Sequence, residues 1–141
     1  RQRQMCIRDR RCIVPSTGYF EWRHEGSKKI PYYIYLKDEP IFSMAGIYDT
    51  WLDKVTGEEH TTFSIITTDT NPLTDYIHNT KHRMPAILSP ENEEKWLNAD
   101  LSKTDISSLL KPYDADLMDA YVIQNDFLKK VATDESILHR A

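Results

Sequence analysis

The first half of the chain is patterned in short apolar runs. Residues 12–14 and 19–22 are apolar or aromatic and are separated by Pro15, Ser16, Thr17 and Gly18, residue types that favour a turn over a continuing pleat. Gly26 to Lys29 reads as a second polar turn. Residues 30–36 and 41–48 are rich in β-branched and aromatic side chains, and Asp38, Glu39 and Pro40 between them suggest a hairpin connection. The segment 54–59, containing Gly57, is the next loop, and 61–68 the next strand. Antiparallel strands joined by short turns are expected.

The period then changes. Asn71 followed by Pro72 is an N-cap and first-turn pair, and predicts a short helix to Ile77 or His78. Pro85 forbids its continuation, because the residue before a proline is driven toward the extended region, and 86–88 reads as a strand. Ser89, Pro90, Glu91, Glu93 and Glu94 supply a cap, a first-turn proline and acidic residues at the positive end of a helix dipole, predicting a helix over 90–98. Ser102 with Asp105 caps another amphipathic turn or two through Ile106, Leu109 and Leu110. Residues 121–128 suggest a final strand. Strands first and helices later imply an α+β domain built on a mostly antiparallel sheet.

At 141 residues the chain is the size of one ordinary domain, so a single core is expected. Hydrophobic residues at 40% and charged residues at 28% describe a globular protein rather than a disordered one. No apolar run approaches the roughly 18 residues of a spanning helix, no secretory leader pattern follows the basic start, and the cytoplasm is the expected location. Two cysteines make neither a disulfide framework nor a zinc site, and four glycines provide no Gly-rich phosphate cradle. The net charge of -4 hides an asymmetry: residues 1–30 carry eight Lys or Arg against three Asp or Glu, and the remainder ten against nineteen. Any contact with a polyanion must therefore be local, at the N-terminal segment and at Lys81, His82 and Arg83.

Several side chains could carry chemistry. Glu21 lies between Phe20 and Trp22, where a partly desolvated carboxylate would suit general acid or base work; the plainer alternative is a solvated strand residue. His78 and His82 are four apart, the spacing of two metal ligands on one helix face. No glutamate adjoins the first, and Lys81 and Arg83 would repel a cation, so proton transfer beside phosphates is the better use and a pair of surface loop histidines the plain one. Cys12 reads as a buried, inert thiol. Cys6, among the arginines at positions 1, 3, 8, 10 and 11, is either an activated thiol or an exposed one in a basic terminus. Trp22, Trp51 and Trp96 read as core or rim, with base stacking as the alternative for an exposed one.

Taken together, RCIVPSTGYFEW (11–22), PYYIY (31–35), FSMAGIY (42–48), FSIITT (63–68), NPLTDYIH (71–78) and RMPAILSP (83–90) resemble one family, the SRAP proteins, SOS-response-associated peptidases or abasic-site processing proteins. The likeness runs over about 11–98 and fades beyond Leu101. It implies a mostly antiparallel, barrel-like sheet with short peripheral helices, present here in part. The implied activity is binding of single-stranded DNA and covalent capture of abasic sites in the DNA-damage (SOS) response. An N-terminal cysteine, exposed by self-processing of the initiator Met, condenses through its α-amine with the sugar aldehyde and closes a thiazolidine through its thiol.

Carried over by position, the resemblance makes Glu21 the catalytic glutamate and His78 the histidine that assists opening of the sugar ring, with His82 as second choice. Thr67 would line the abasic-site pocket, and Arg83 and Trp22 would contact DNA. No cofactor or metal is implied, and the expected partner is single-stranded DNA containing abasic sites, bound by a monomer in the cytoplasm or, in a bacterium, at the nucleoid. Two departures accompany it. Asn79 to His82 intervene between the histidine and RMP, where the family has a shorter link, and the segments that should precede Arg11 are replaced by ten residues. Residues 1–10 are therefore expected to be unrelated or disordered, 11–130 a partial domain and 131–141 a tail. Cys6 is not expected to be the nucleophile, since Ile7 stands where the family's start motif has glycine.

Overall fold

The computed structural model describes residues 10–126 and 135–141. In chain order the strands are β1 (Arg11–Ser16), β2 (Tyr19–Glu25), β3 (Lys28–Leu36), β4 (Phe42–Leu52), β5 (Glu59–Ile65), β6 (Thr67–Asp69), β7 (Arg83–Pro85), β8 (Ile87–Leu88) and β9 (Met118–Val122). The helices are α1 (Pro72–Ile77), α2 (Pro90–Leu97) and α3 (Lys103–Leu109). The strand pairs whose register is defined are antiparallel, and the α+β expectation holds. No helix among the described residues is long and apolar enough to cross a membrane.

The described residues form two compact units, one of residues 10–15, 43–68 and 85–111, the other of 16–42, 69–84, 112–126 and 135–141. Each has its own sheet and apolar cluster, so each buries its own sheet face. In the first unit the sheet runs β1-β4-β5, and β8 also pairs with β4. Its core is Ala45, Ala86, Leu88 and Trp96, flanked by Ile13, Ile66, Ile106, Leu109 and Leu110. Trp96, only 1% exposed, donates its indole N–H to the Cys12 carbonyl at 2.9 Å, while Arg11 Nε donates to the Trp96 carbonyl at 2.7 Å. On the β4–β5 hairpin Tyr48, Leu52, Phe63 and Ile65 remain exposed, as does Trp51, which stacks on His60 with ring centroids 4.8 Å apart. Trp51 is therefore a surface residue and not core. Ser89 sits at the N-cap of α2 without capping it; its hydroxyl accepts from Asn92 Nδ2 at 2.9 Å instead. The capping box of α3, Ser102 with Asp105, is formed.

The second unit carries the sheet β2-β3-β9. Its turn is tighter than expected: Gly26 and Ser27 alone connect β2 to β3, with Gly26 at φ +60°, a conformation glycine adopts without strain. That fixes the register Glu25↔Lys28, His24↔Lys29 and Glu21↔Tyr32. The expected hairpin between β3 and β4 does not form. Both edges of β3 are already occupied by β2 and β9, and the Lys37 N–H is taken by the Leu117 carbonyl. The last strand is Met118–Val122, earlier than the expected 121–128, of which 127 and 128 lie outside the described residues. One apolar cluster here is Tyr33 and Ile123, joined by Phe20, Trp22, Tyr35, Tyr121 and Ile137, and Ile34, Leu36, Ile77, Met84 and Met118 are buried in the same unit. The end of the chain is docked here, with Ala141 N–H donating to the Val122 carbonyl at 3.0 Å and the Arg140 guanidinium 4.7 Å from the Tyr121 ring centroid.

Helix α1 begins as its sequence predicts. Asn71 Oδ1 accepts the Thr74 N–H at 2.9 Å, Thr74 Oγ1 accepts the Asn71 N–H at 3.1 Å, and Asn71 Nδ2 donates to the Tyr113 carbonyl at 2.8 Å. This reciprocal box is buried and fixes the direction of a two-turn helix that packs Ile77 inward and ends at His78.

Candidate functional site

Two segments of the second unit converge on one cavity. The first is β2. Alternation along it places Tyr19, Glu21 and Arg23 on one face, and Phe20, Trp22 and His24 on the other. Glu21 Oε1 accepts the Trp22 backbone N–H at 2.9 Å, which fixes one carboxylate oxygen and leaves Oε2 for other partners. Arg23 holds α1 against this face: its guanidinium lies 3.9 Å from the Tyr76 ring centroid and donates to the Tyr76 carbonyl.

The second segment is the end of α1 with the loop after it. His78 is the helix C-cap, and its N–H donates to the Thr74 carbonyl at 2.7 Å. Its Nδ1 lies 2.8 Å from the Arg83 carbonyl oxygen and 3.3 Å from Glu21 Oε2. A carbonyl only accepts, so Nδ1 carries the hydrogen, and the neutral ring keeps its basic lone pair on Nε2. The pair is mostly shielded, with His78 at 15% and Glu21 at 24% side-chain exposure. Asn79 then closes the loop onto the free edge of β2, accepting from the His24 N–H at 3.0 Å and donating to the His24 carbonyl at 2.8 Å. One carboxamide thus replaces a neighbouring strand.

The cavity is open, about 590 Å³ in volume, and lined by Glu21, Trp22, His24, Lys29, His78, Thr80, Lys81 and Arg83. Lys29, Lys81 and Arg83 give it three fixed cations against one carboxylate, an excess of positive charge in a protein of net charge -4. Clefts of one sign concentrate ligands of the other. Tyr19, two residues before Glu21, has a buried hydroxyl with no hydrogen-bond partner among the described residues. Burial first, and the Glu21 charge second, push its ionisation well above the ordinary phenol range, so it stays neutral.

Of the residues singled out from the sequence, Glu21, His78, Trp22 and Arg83 are brought together, and Trp22 also packs on the Tyr33 cluster. His82 is not a lining residue. It is exposed, adopts φ +49°, and its Nδ1 lies 2.6 Å from Asp75 Oδ1. Thr67 stands exposed at the start of β6, in the first unit. Cys12, also in the first unit, is a half-buried free thiol whose ionisation burial pushes up. Cys6 lies outside the described residues. His24, Lys29 and Thr80 are not marked out by the sequence, and Lys81 only as part of the charged cluster with His82 and Arg83. For the first two the signal was present, because a two-residue turn at Gly26 and Ser27 sets His24 opposite Lys29. Among the described residues no three His, Cys, Asp or Glu side chains gather as a metal-binding group.

The hydrogen bond from His82, and then that from Thr70, holds the Asp75 carboxyl below its ordinary 3.8. A lowered carboxyl favours the folded state above its unfolded pKa, and this contribution is lost as pH falls through the folded value. In the His82→Ala variant the Asp75 titration midpoint, followed by NMR, is expected to rise back toward 3.8.

Residues 3–130 match the family model for SOS response associated peptidase (SRAP). The chain belongs to the SRAP family. It is 43% identical over 118 residues to the abasic site processing protein YoqW of Bacillus subtilis, covering 82% of this chain and 51% of that one. It is 34% identical over 126 residues to the abasic site processing protein HMCES of Gallus gallus, covering 75% and 37%. A crystal structure of a protein from Bacteroides thetaiotaomicron superposes with a TM-score of 0.93 at 77% identity, covering 96% of this chain and 58% of that chain. The chain thus spans about half the length of YoqW.

Proposed function

We propose that this chain provides the acid-base pair and the phosphate-binding cavity of an abasic-site processing protein acting on single-stranded DNA. The observation that carries the reading is the 3.3 Å approach of Glu21 Oε2 to His78 Nδ1 beside Lys29, Lys81 and Arg83, in a chain whose relatives are named for abasic-site processing. Lys29, Lys81 and Arg83 take the phosphates flanking the lesion, and Trp22 offers a stacking surface for a neighbouring base.

An abasic deoxyribose is a cyclic hemiacetal. Opening it removes the proton of the C1′ hydroxyl, breaks the C1′–O4′ bond and delivers a proton to O4′, leaving an aldehyde and a 4′ hydroxyl. His78 Nε2 takes the hydroxyl proton and returns it to O4′ as the C1′–O4′ bond breaks, while Glu21 holds the imidazolium through Nδ1–H and moves protons at the amine that attacks the aldehyde. That amine and the thiol beside it are a part of the family chemistry that this reading assigns to none of the described residues, and burial pushes the ionisation of the Cys12 thiol up.

Binding separates this reading from a non-catalytic single-strand module. Fluorescence anisotropy with matched single-stranded oligonucleotides, one carrying an abasic site, is expected to give tighter binding to the abasic strand. A denaturing gel of the same mixture is expected to show no shifted band that depends on Cys6. Equal, fully salt-reversible affinity for both strands would support the module, and a Cys6-dependent covalent band would overturn the assignment of the nucleophile.

A further inference from the structure

His82 was singled out by its spacing from His78, yet it lies outside the cavity and in a conformation that costs energy. At φ +49° it occupies the left-handed region, which a side chain bearing a Cβ enters at a cost of about 1 kcal/mol or more. Such a residue persists only where its surroundings hold it. Two contacts do so: the His82 N–H donates to the His78 carbonyl at 3.1 Å, and the ring Nδ1 meets Asp75 Oδ1 at 2.6 Å. Asp75 is itself tethered, because Thr70 Oγ1 donates to the same Oδ1 at 2.9 Å and the Asp75 N–H donates to the Asn71 carbonyl at 2.8 Å.

The four residues Asn79 to His82 are thereby pinned at both ends. Asn79 is zipped to the β2 edge at His24, and His82 is clasped to α1 through Asp75. Between the two pins lie Thr80 and Lys81, and immediately after the second lies Arg83, all three lining the cavity. The Arg83 carbonyl also receives the His78 Nδ1–H, so the placement of Arg83 is tied to the orientation of the imidazole.

We propose that the Asp75–His82 pair is a latch that shapes this loop, making Asp75 and His82 positioning residues that present Lys81 and Arg83 to the phosphates of a single strand. The inference rests on the cavity being the phosphate-binding site. The latch is a surface pair, with side chains 52% and 56% exposed, and pairs of that kind contribute little to global stability. Its role is local shape, and that makes it testable without unfolding the protein.

The probe is an intact single-stranded oligonucleotide without an abasic site, bound to the full chain over a range of salt. For single strands the slope of log K against log salt changes by about 0.7 for each phosphate contact. Losing the contacts of Lys81 and Arg83 is expected to flatten it by about 1.4 in Asp75→Ala and in His82→Ala. His82→Asn is expected to keep the wild-type slope, since asparagine tolerates the left-handed region and its amide can donate to Asp75. Hydrogen exchange at the amides of residues 79–83 is expected to accelerate in the two alanine variants, with Tm nearly unchanged. Wild-type exchange rates in Asp75→Ala would overturn the latch whatever the DNA does. A steep wild-type slope kept in both alanine variants would overturn the latch and leave the cavity reading intact. A wild-type protein with no salt-dependent binding would remove both.

Discussion

Replacing Glu21 or His78 by glutamine is expected to cut protein-dependent capture of an abasic single strand by about 10²-fold or more, the range in which a positioned acid or base acts. The readout is the rate at which an aminooxy probe traps the sugar aldehyde, because the probe supplies the amine and leaves ring opening and proton transfer to the protein. Glutamine at 78 keeps much of the bulk of the imidazole but has no basic nitrogen to accept the hydroxyl proton. Glutamine at 21 keeps an acceptor for the Trp22 N–H, now made by Glu21 Oε1, and loses the negative charge beside Nδ1. Binding of an intact oligonucleotide is expected to change little in either variant, because the cations Lys29, Lys81 and Arg83 are untouched. Capture at the wild-type rate by either variant would remove that residue from the chemistry.

A second large effect is expected at Gly18, three residues before Glu21. The Tyr33 ring lies against its backbone, and an added Cβ would sit 2.3 Å from Tyr33 Cζ and 2.5 Å from its hydroxyl oxygen. The ring has nowhere to retreat. It is buried between Phe20 and Tyr121, with centroids at 5.5 and 5.6 Å, and its hydroxyl donates to the Thr17 carbonyl at 2.8 Å. Overpacking of this kind costs about 1–3 kcal/mol and occasionally more, a large fraction of the roughly 5–15 kcal/mol of a typical domain. Gly18→Ala is therefore expected to lower Tm by several degrees and, because β2 begins at Tyr19, to depress aldehyde capture as well. An unchanged melting curve would mean that Tyr33 shifts without cost.

Legibility from the sequence followed the range of the interactions involved. The start of α1 could be read because Asn71, Thr74 and Pro72 settle it within four residues, and the box of Ser102 and Asp105 was equally local. Strand existence was readable from runs of β-branched and aromatic residues, but strand partnership was not. Pro40 and its acidic neighbours look like a hairpin turn, and only the competing partners β2 and β9, set by residues as distant as Tyr121, exclude it. The division into two compact units is hidden for the same reason. The choice between core and rim for Trp51 is likewise not local, and its strand leaves it half exposed on the β4–β5 hairpin.

Within the site, Glu21 and His78 lie far apart in the chain, and nothing in their spacing brings them together. They were found through the two segments that resemble the family, GYFEW and NPLTDYIH. His82 could not be separated from His78 by spacing, since the separation depends on a left-handed residue and a carboxylate on the preceding helix. Lys81 was noticed only as part of a charged cluster. Its position at the cavity depends on a loop held by Asn79 and Asp75.

A double-mutant cycle on aldehyde capture tests most directly whether Glu21 and His78 act on one bound sugar as a unit. Residues that act together lose little more when both are replaced than when one is. The Glu21→Gln/His78→Gln double variant is therefore expected to be about as slow as the slower single variant. Losses that multiply would contradict the account, because two side chains working independently do not form the acid-base pair on which it depends.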